Sequence, residues 1–66
     1  MNIIEAMELC KSGKLVRPTV WATLNHGHWV GHRAGLFVEF GDMEEIPHRL
    51  VMQHEQEFLG EWEVRK

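Results

Sequence analysis

Between Trp21 and Arg33 the chain reads WATLNHGHWVGHR, placing two Trp, three His, one Asn, one Arg and two Gly in thirteen residues. These are groups that stack, donate, accept and titrate. Flat indole faces stack on rings, Asn and His hydrogen-bond ring edges, and Gly lets a backbone approach a ligand closely. From Arg17 to Arg33 there are two Arg, three His and no acid, while the stretch from Asp42 to Glu63 is acidic. The segment therefore suits a ligand that is both ring-bearing and anionic. Trp21 and Trp29 are its candidate stacking platforms and Asn25 its ring-edge partner. Arg17, Arg33, His26, His28 and His32 are its candidate phosphate contacts.

Other chemistries have weaker support. His26, His28 and His32 form an H-x-H-x3-H pattern, and three imidazoles with a carboxylate such as Asp42 or Glu45 are a possible zinc set. No HExxH or paired CxxC accompanies them, so no metal is assigned and no cofactor is expected. GxSxG, P-loop and GxGxxG motifs are absent. Cys10 lies on the apolar side of a helical stretch and reads as a small core hydrophobe rather than a nucleophile. Glu44/Glu45 and Glu55/Glu57 read as solvated surface. The expectation is a binding protein, not an enzyme.

A chain of 66 residues is a single domain near the lower limit for folding on its own core. Such domains usually add a disulfide, a metal or a partner subunit. With one cysteine an intrachain disulfide is excluded, and self-association is the expected stabiliser. A lone cysteine fits a reducing cytoplasm. The formal charge of −3 gives no basic footprint for nucleic acid, so neither DNA nor RNA is expected as a partner. No apolar run approaches a membrane span, and the acids in MNIIEAMELC argue against a secretion signal.

The elements that must position these groups follow from periodicity. Asn2 to Ser12 reads as a helix: Asn2 as N-cap, Glu5 completing a capping box, Ile3, Ala6, Met7 and Cys10 on one face, Gly13 ending it. Leu15 to Arg17 is a short strand closed by Pro18. Thr19 to Leu24 is β-prone and alternates, with Trp21 on the side opposite Val20, Ala22 and Leu24. Asn25-His26-Gly27 is a turn, and His28 to Val30 returns as a hairpin partner of Thr23 and Leu24. Gly31 to Gly35 reads as a loop. Leu36 to Phe40 is the clearest strand, followed by a turn at Gly41-Asp42. Ile46 to Met52 is a strand starting at His48, after Pro47. Gln53 to Leu59 makes one or two helical turns that Gly60 breaks. Glu61 to Lys66 is a final strand with Trp62 and Val64 inward. The fold class is α+β: an N-terminal helix on a small, mostly antiparallel sheet, with a short second helical turn before the last strand.

Both ends of the chain carry a further pattern. Glu5-Ala6 in the first helix is followed by K-x-G-K-x-V-R at Lys11 to Arg17 and then Trp21, and EFLGEWEV closes the chain at Glu57 to Val64. These pieces resemble the small phage proteins of the Thoeris anti-defence type, a signal-sponge family. The resemblance implies a homo-oligomer in the host cytoplasm that binds a cyclic nucleotide-derived immune signal and sequesters it uncleaved. It carries over to Arg17 and Trp21 alone; the other contacts come from the residues themselves. The competing expectation is a phage or mobile-element protein that inhibits a host defence protein through an aromatic surface. A sponge needs a pocket lined by Trp21 with His or Arg, whereas an inhibitor needs Trp exposed on a flat face.

Overall fold

The computed structural model describes residues 1–24, 27–41 and 48–65, without the side chains of Thr23 and Leu24. It is an α+β fold in which helix α1 (Ile3–Lys11) packs on a five-stranded antiparallel sheet. The strands are β1 (Val16–Pro18), β2 (Trp29–Arg33), β3 (Leu36–Phe40), β4 (His48–Arg49) and β5 (Trp62–Val64), in the order β4-β3-β2-β1-β5. Two short helices, α2 (Trp21–Leu24) and α3 (Glu55–Leu59), follow β1 and precede β5.

Local chemistry sets the ends of α1. The Asn2 side chain accepts from the Glu5 N–H at 2.9 Å, and the Glu5 carboxylate accepts from the Asn2 N–H at 3.2 Å, a reciprocal capping box. At the other end Gly13 takes a φ of +105°. Its N–H reaches the Cys10 carbonyl, and the Lys14 N–H reaches the Leu9 carbonyl. This paired closure is a Schellman motif, and it fixes where Lys14 leaves the helix.

Cross-strand register sorts the side chains, because directly opposed residues share a sheet face. Val16 pairs with both Val30 and Val64, Pro18 with Trp62, His32 with Phe37, and Glu39 with His48. These residues occupy the helix face. There Val16, Val30 and Trp62 join Ala6 and Cys10 of α1 and Trp21 of α2 in the core. Arg17, Glu63, Trp29, Gly31, Arg33, Leu36, Val38, Phe40 and Arg49 fall on the opposite face by the same register.

The strand read from His48 to Met52 is confined to His48–Arg49, and two further stretches differ from their sequence reading. Thr19 to Leu24 is no strand: Thr19 and Val20 turn the chain and Trp21–Leu24 is helical, so β2 pairs with β1 and β3 instead of with Thr23 and Leu24. The cause is tertiary. The turn delivers Trp21 to the core at 2 % exposure, and that burial overrides the β propensity of Thr, Val and Trp. Nor is Gly31 to Gly35 a loop, since Gly31, His32 and Arg33 belong to β2. The turn is Ala34-Gly35 alone, with φ of 51° and 80°, the two positive values of a type I′ hairpin. The turns read at Asn25-His26 and at Asp42 lie outside the described residues.

Candidate functional site

The face opposite the helix carries two side-chain rows that cross the strands. In the first, Phe40 opposes Trp29 and Arg17 opposes Glu63. The Val16–Val30 pair brings Arg17 alongside Trp29 between them. The Arg17 guanidinium carbon lies 4.2 Å from the Trp29 ring centroid, and its Nε donates to Glu63 Oε1 at 2.7 Å. Arg65 approaches the same indole at 6.0 Å, and Arg33 lies over the Phe40 ring at 5.3 Å. The second row includes Arg49, Val38 and Gly31. Leu15 and Arg65 continue it, joined by the Arg65 N–H to Leu15 carbonyl bond.

The four arginines of the sequence, Arg17, Arg33, Arg49 and Arg65, thus share one sheet face. Within the described strands Glu63 is the one acid on it, and Glu39 lies on the other side. Arg33, Arg49 and Arg65 are exposed and have no ion-pair partner among the described residues. A chain with a net charge of −3 therefore presents a locally positive, aromatic surface.

At one end of this face a cleft of about 250 Å³ opens between Gly13, Lys14 and Leu15 on one side and Gly31, His32 and Arg33 on the other, with Phe40 in its lining. The register explains it. The β1–β2 pairing is the single step Val16–Val30, and the Schellman turn at Gly13 immediately precedes it. Gly31 is required here. A Cβ at this position would lie 2.5 Å from Phe40 Cε2 and 3.1 Å from Leu15 Cδ2, so its absence lets the Phe40 ring lie across the strand. Lys14 and Arg33 give the cleft two cations, and it is suited to an anionic group set against a ring.

Of the residues expected from the sequence, Arg17 and Trp29 stack together on this face, Arg33 joins it, and Arg33 and His32 line the cleft. Trp21 does not belong with them. It is a core residue, and its indole N–H is taken by Glu57 Oε2 at 2.9 Å. The expected role of Trp21 as a stacking platform is corrected accordingly: α2 turns it to the helix side of the sheet. His28 also lies apart, its Nδ1 2.6 Å from Glu39 Oε2. The His32 ring meets Phe37 edge-on at 5.0 Å, on the helix face. His28 and His32 are four residues apart along an extended segment, about 13 Å, and their rings engage different partners. Asn25 and His26 lie outside the described residues, as do Asp42 and Glu45. The sequence reading missed Lys14, Phe40, Arg49 and Arg65. Arg49 and Arg65 sit in separate strands, and only the strand order brings them beside Arg17 and Arg33.

Comparison with protein-family models, curated proteins and solved structures finds no match to this chain. No helix among the described residues is long and apolar enough to cross a membrane.

Proposed function

We propose that this chain is a binding protein that captures an anionic, ring-bearing small molecule of the cyclic-nucleotide type and holds it without cleavage. It would act in the cytoplasm of a bacterial host as an anti-defence sponge, the activity its two ends resemble. The observation that carries this reading is the pairing of cations with rings on one face: Arg17 on Trp29, and Arg33 on Phe40, beside the Lys14–Arg33 cleft. Phosphate oxygens meet the cleft cations, and a base stacks on the guanidinium–indole pair. The cleft's 250 Å³ is small for a whole ligand pocket. The rest of the ligand lies over the sheet face beside it, on Phe40, Trp29 and Arg17. Ile4 on α1 and Phe58 and Leu59 on α3 are exposed large hydrophobics that supply apolar contact for a homo-oligomer formed away from the arginine face.

Calorimetry against cyclic dinucleotides and cyclic ADP-ribose isomers tests the reading, with mass analysis of the recovered ligand. Saturable binding, intact ligand, and loss of binding in Lys14→Ala and Arg33→Ala are expected. A cleaved ligand would make the protein an enzyme. One observation favours the host-protein inhibitor instead: half-buried Trp29 and exposed Leu36 lie on the sheet face opposite the helix, whereas Trp21 is buried in the core. Absence of heat from every ligand, with a folded protein, selects that alternative.

A further inference from the structure

We infer that the arginine face also binds single-stranded nucleic acid, through a surface wider than the cleft and separable from it. The inference shares Arg33 and the Arg17–Trp29 pair with the small-molecule reading and goes beyond it through its outlying residues, Arg49 and Arg65, which do not line the cleft.

Three observations carry it. The first is extent. Arg49 is in β4 at one edge of the sheet and Arg65 follows β5 at the other. Five strands spaced by about 4.8 Å place these edges roughly 19 Å apart, a distance that a run of several nucleotides spans and a mononucleotide does not. The second is sign: Arg33, Arg49 and Arg65 are exposed and without ion-pair partners among the described residues. Backbone phosphates are the complementary partner of such a track. The third is the interleaving of rings. Trp29 lies between Phe40 and Arg17 in one cross-strand row, with the Arg17 guanidinium on its indole. Unpaired bases stack on aromatic rings and on guanidinium planes alike. A duplex hides its base faces, and no described helix projects from this side of the sheet to enter a groove, so the single strand is the form that fits. An overall charge of −3 does not oppose this, because screening within about 10 Å at 0.1 M salt makes the local face decisive.

The tryptophans provide the test. Trp21 and Trp62 are each 2 % exposed in the core, so Trp29 is the indole that an oligonucleotide on this face can reach. Labelled 15-mers of dT and rU are titrated with the protein at several salt concentrations, following probe anisotropy and tryptophan emission together. Saturable binding with quenched emission is expected. The log–log salt slope should be roughly −2 to −3, at about −0.7 per phosphate for three to four contacts on a single strand. Arg49→Ala and Arg65→Ala, both at exposed positions, should each reduce the slope by about 0.7 and leave the circular-dichroism spectrum unchanged. Trp29→Phe should keep binding and abolish the quenching. No binding at low salt, an unchanged slope in the double arginine variant, or heparin and duplex binding equal to that of the 15-mers without quenching would each overturn the inference. Binding of a cyclic dinucleotide but not of the 15-mers sinks this inference and leaves the sponge reading standing. The converse does the opposite.

Discussion

The Trp21 indole N–H donates to the Glu57 carboxylate at 2.9 Å, tying the short helix after β1 to the short helix before β5. The other Glu57 oxygen accepts from the backbone N–H groups of Gln53 and His54, at 3.2 and 2.7 Å. The Trp62 indole N–H donates to the Glu57 carbonyl. Both buried tryptophans therefore hang on one residue that is itself 4 % exposed. Glu57→Ala leaves the Trp21 donor unsatisfied in the core and removes the cap on α3. A buried donor left without a partner costs about 1–3 kcal/mol. The expected outcome is a loss of at least that size in urea unfolding, and Glu57→Gln should recover part of it by keeping one acceptor.

The same carboxylate makes stability depend on pH. Burial pushes its pKa up, but the donors from His54, Trp21 and Gln53 together outweigh burial and hold it below the ordinary value of 4.5. A carboxylate with a depressed folded pKa binds its proton more readily when the chain is unfolded. Its contribution is present above about pH 4.5 and is lost as pH falls through the folded value. Urea midpoints should decline below pH 4.5 in the wild type. Glu57→Gln should lack that part of the decline, and an identical pH profile in the two proteins would contradict the assignment.

The elements legible in the sequence were those whose signal is local. The capping box at Asn2 and Glu5, the glycine stop at Gly13, the Leu36–Phe40 alternation and the inward Trp62 all appear in the structure as read. The helical Trp21 was not legible, because its conformation is set by Glu57, 36 residues away. Gly31 was misread for a related reason. A strand glycine that accommodates a ring looks like a loop glycine until Phe40 is placed across it. Of the site, Arg17, Trp29 and Arg33 stood out as a local cluster. Arg49 and Arg65 became part of it only through the β4-β3-β2-β1-β5 order.

Gly31→Ala should be destabilising although alanine is usually the better strand residue. The new methyl group meets Phe40 Cε2 at 2.5 Å, and the ring is nearly buried with Arg33 above it. Overpacking of this kind costs about 1–3 kcal/mol. Phe40→Leu in the Gly31→Ala background should restore part of the loss, a non-additivity that a double-mutant cycle reads directly.

Cys10 should resist alkylation in the folded protein. Its side chain is buried against β2, with Sγ 3.6 Å from the Val30 carbonyl oxygen. Burial raises its pKa and so lowers the reactive thiolate fraction. Iodoacetamide should label it only at the rate of unfolding, with full reaction in denaturant. Rapid labelling under native conditions, with the circular-dichroism spectrum intact, would contradict the packing described for α1.

Trp21 and Trp29 should separate stability from binding. Trp21 fills the core on the helix side of the sheet, so Trp21→Ala removes a large buried side chain and strands the Glu57 carboxylate. Cavities of that kind cost about 3–5 kcal/mol, comparable to the whole stability of a domain this small. The variant should be largely unfolded, and any loss of ligand binding then follows from loss of structure. Trp29 lies on the opposite face beneath Arg17 and contributes nothing to the buried cluster. Trp29→Ala should melt near the wild type while losing about 1–3 kcal/mol of binding, the usual worth of one base–aromatic stack. Thermal melts and ligand titrations on the two variants decide the matter together. If Trp21→Ala stays folded and loses binding, the buried indole was a ligand contact and the arginine face was not the site. If Trp29→Ala binds as tightly as the wild type, stacking on that face plays no part.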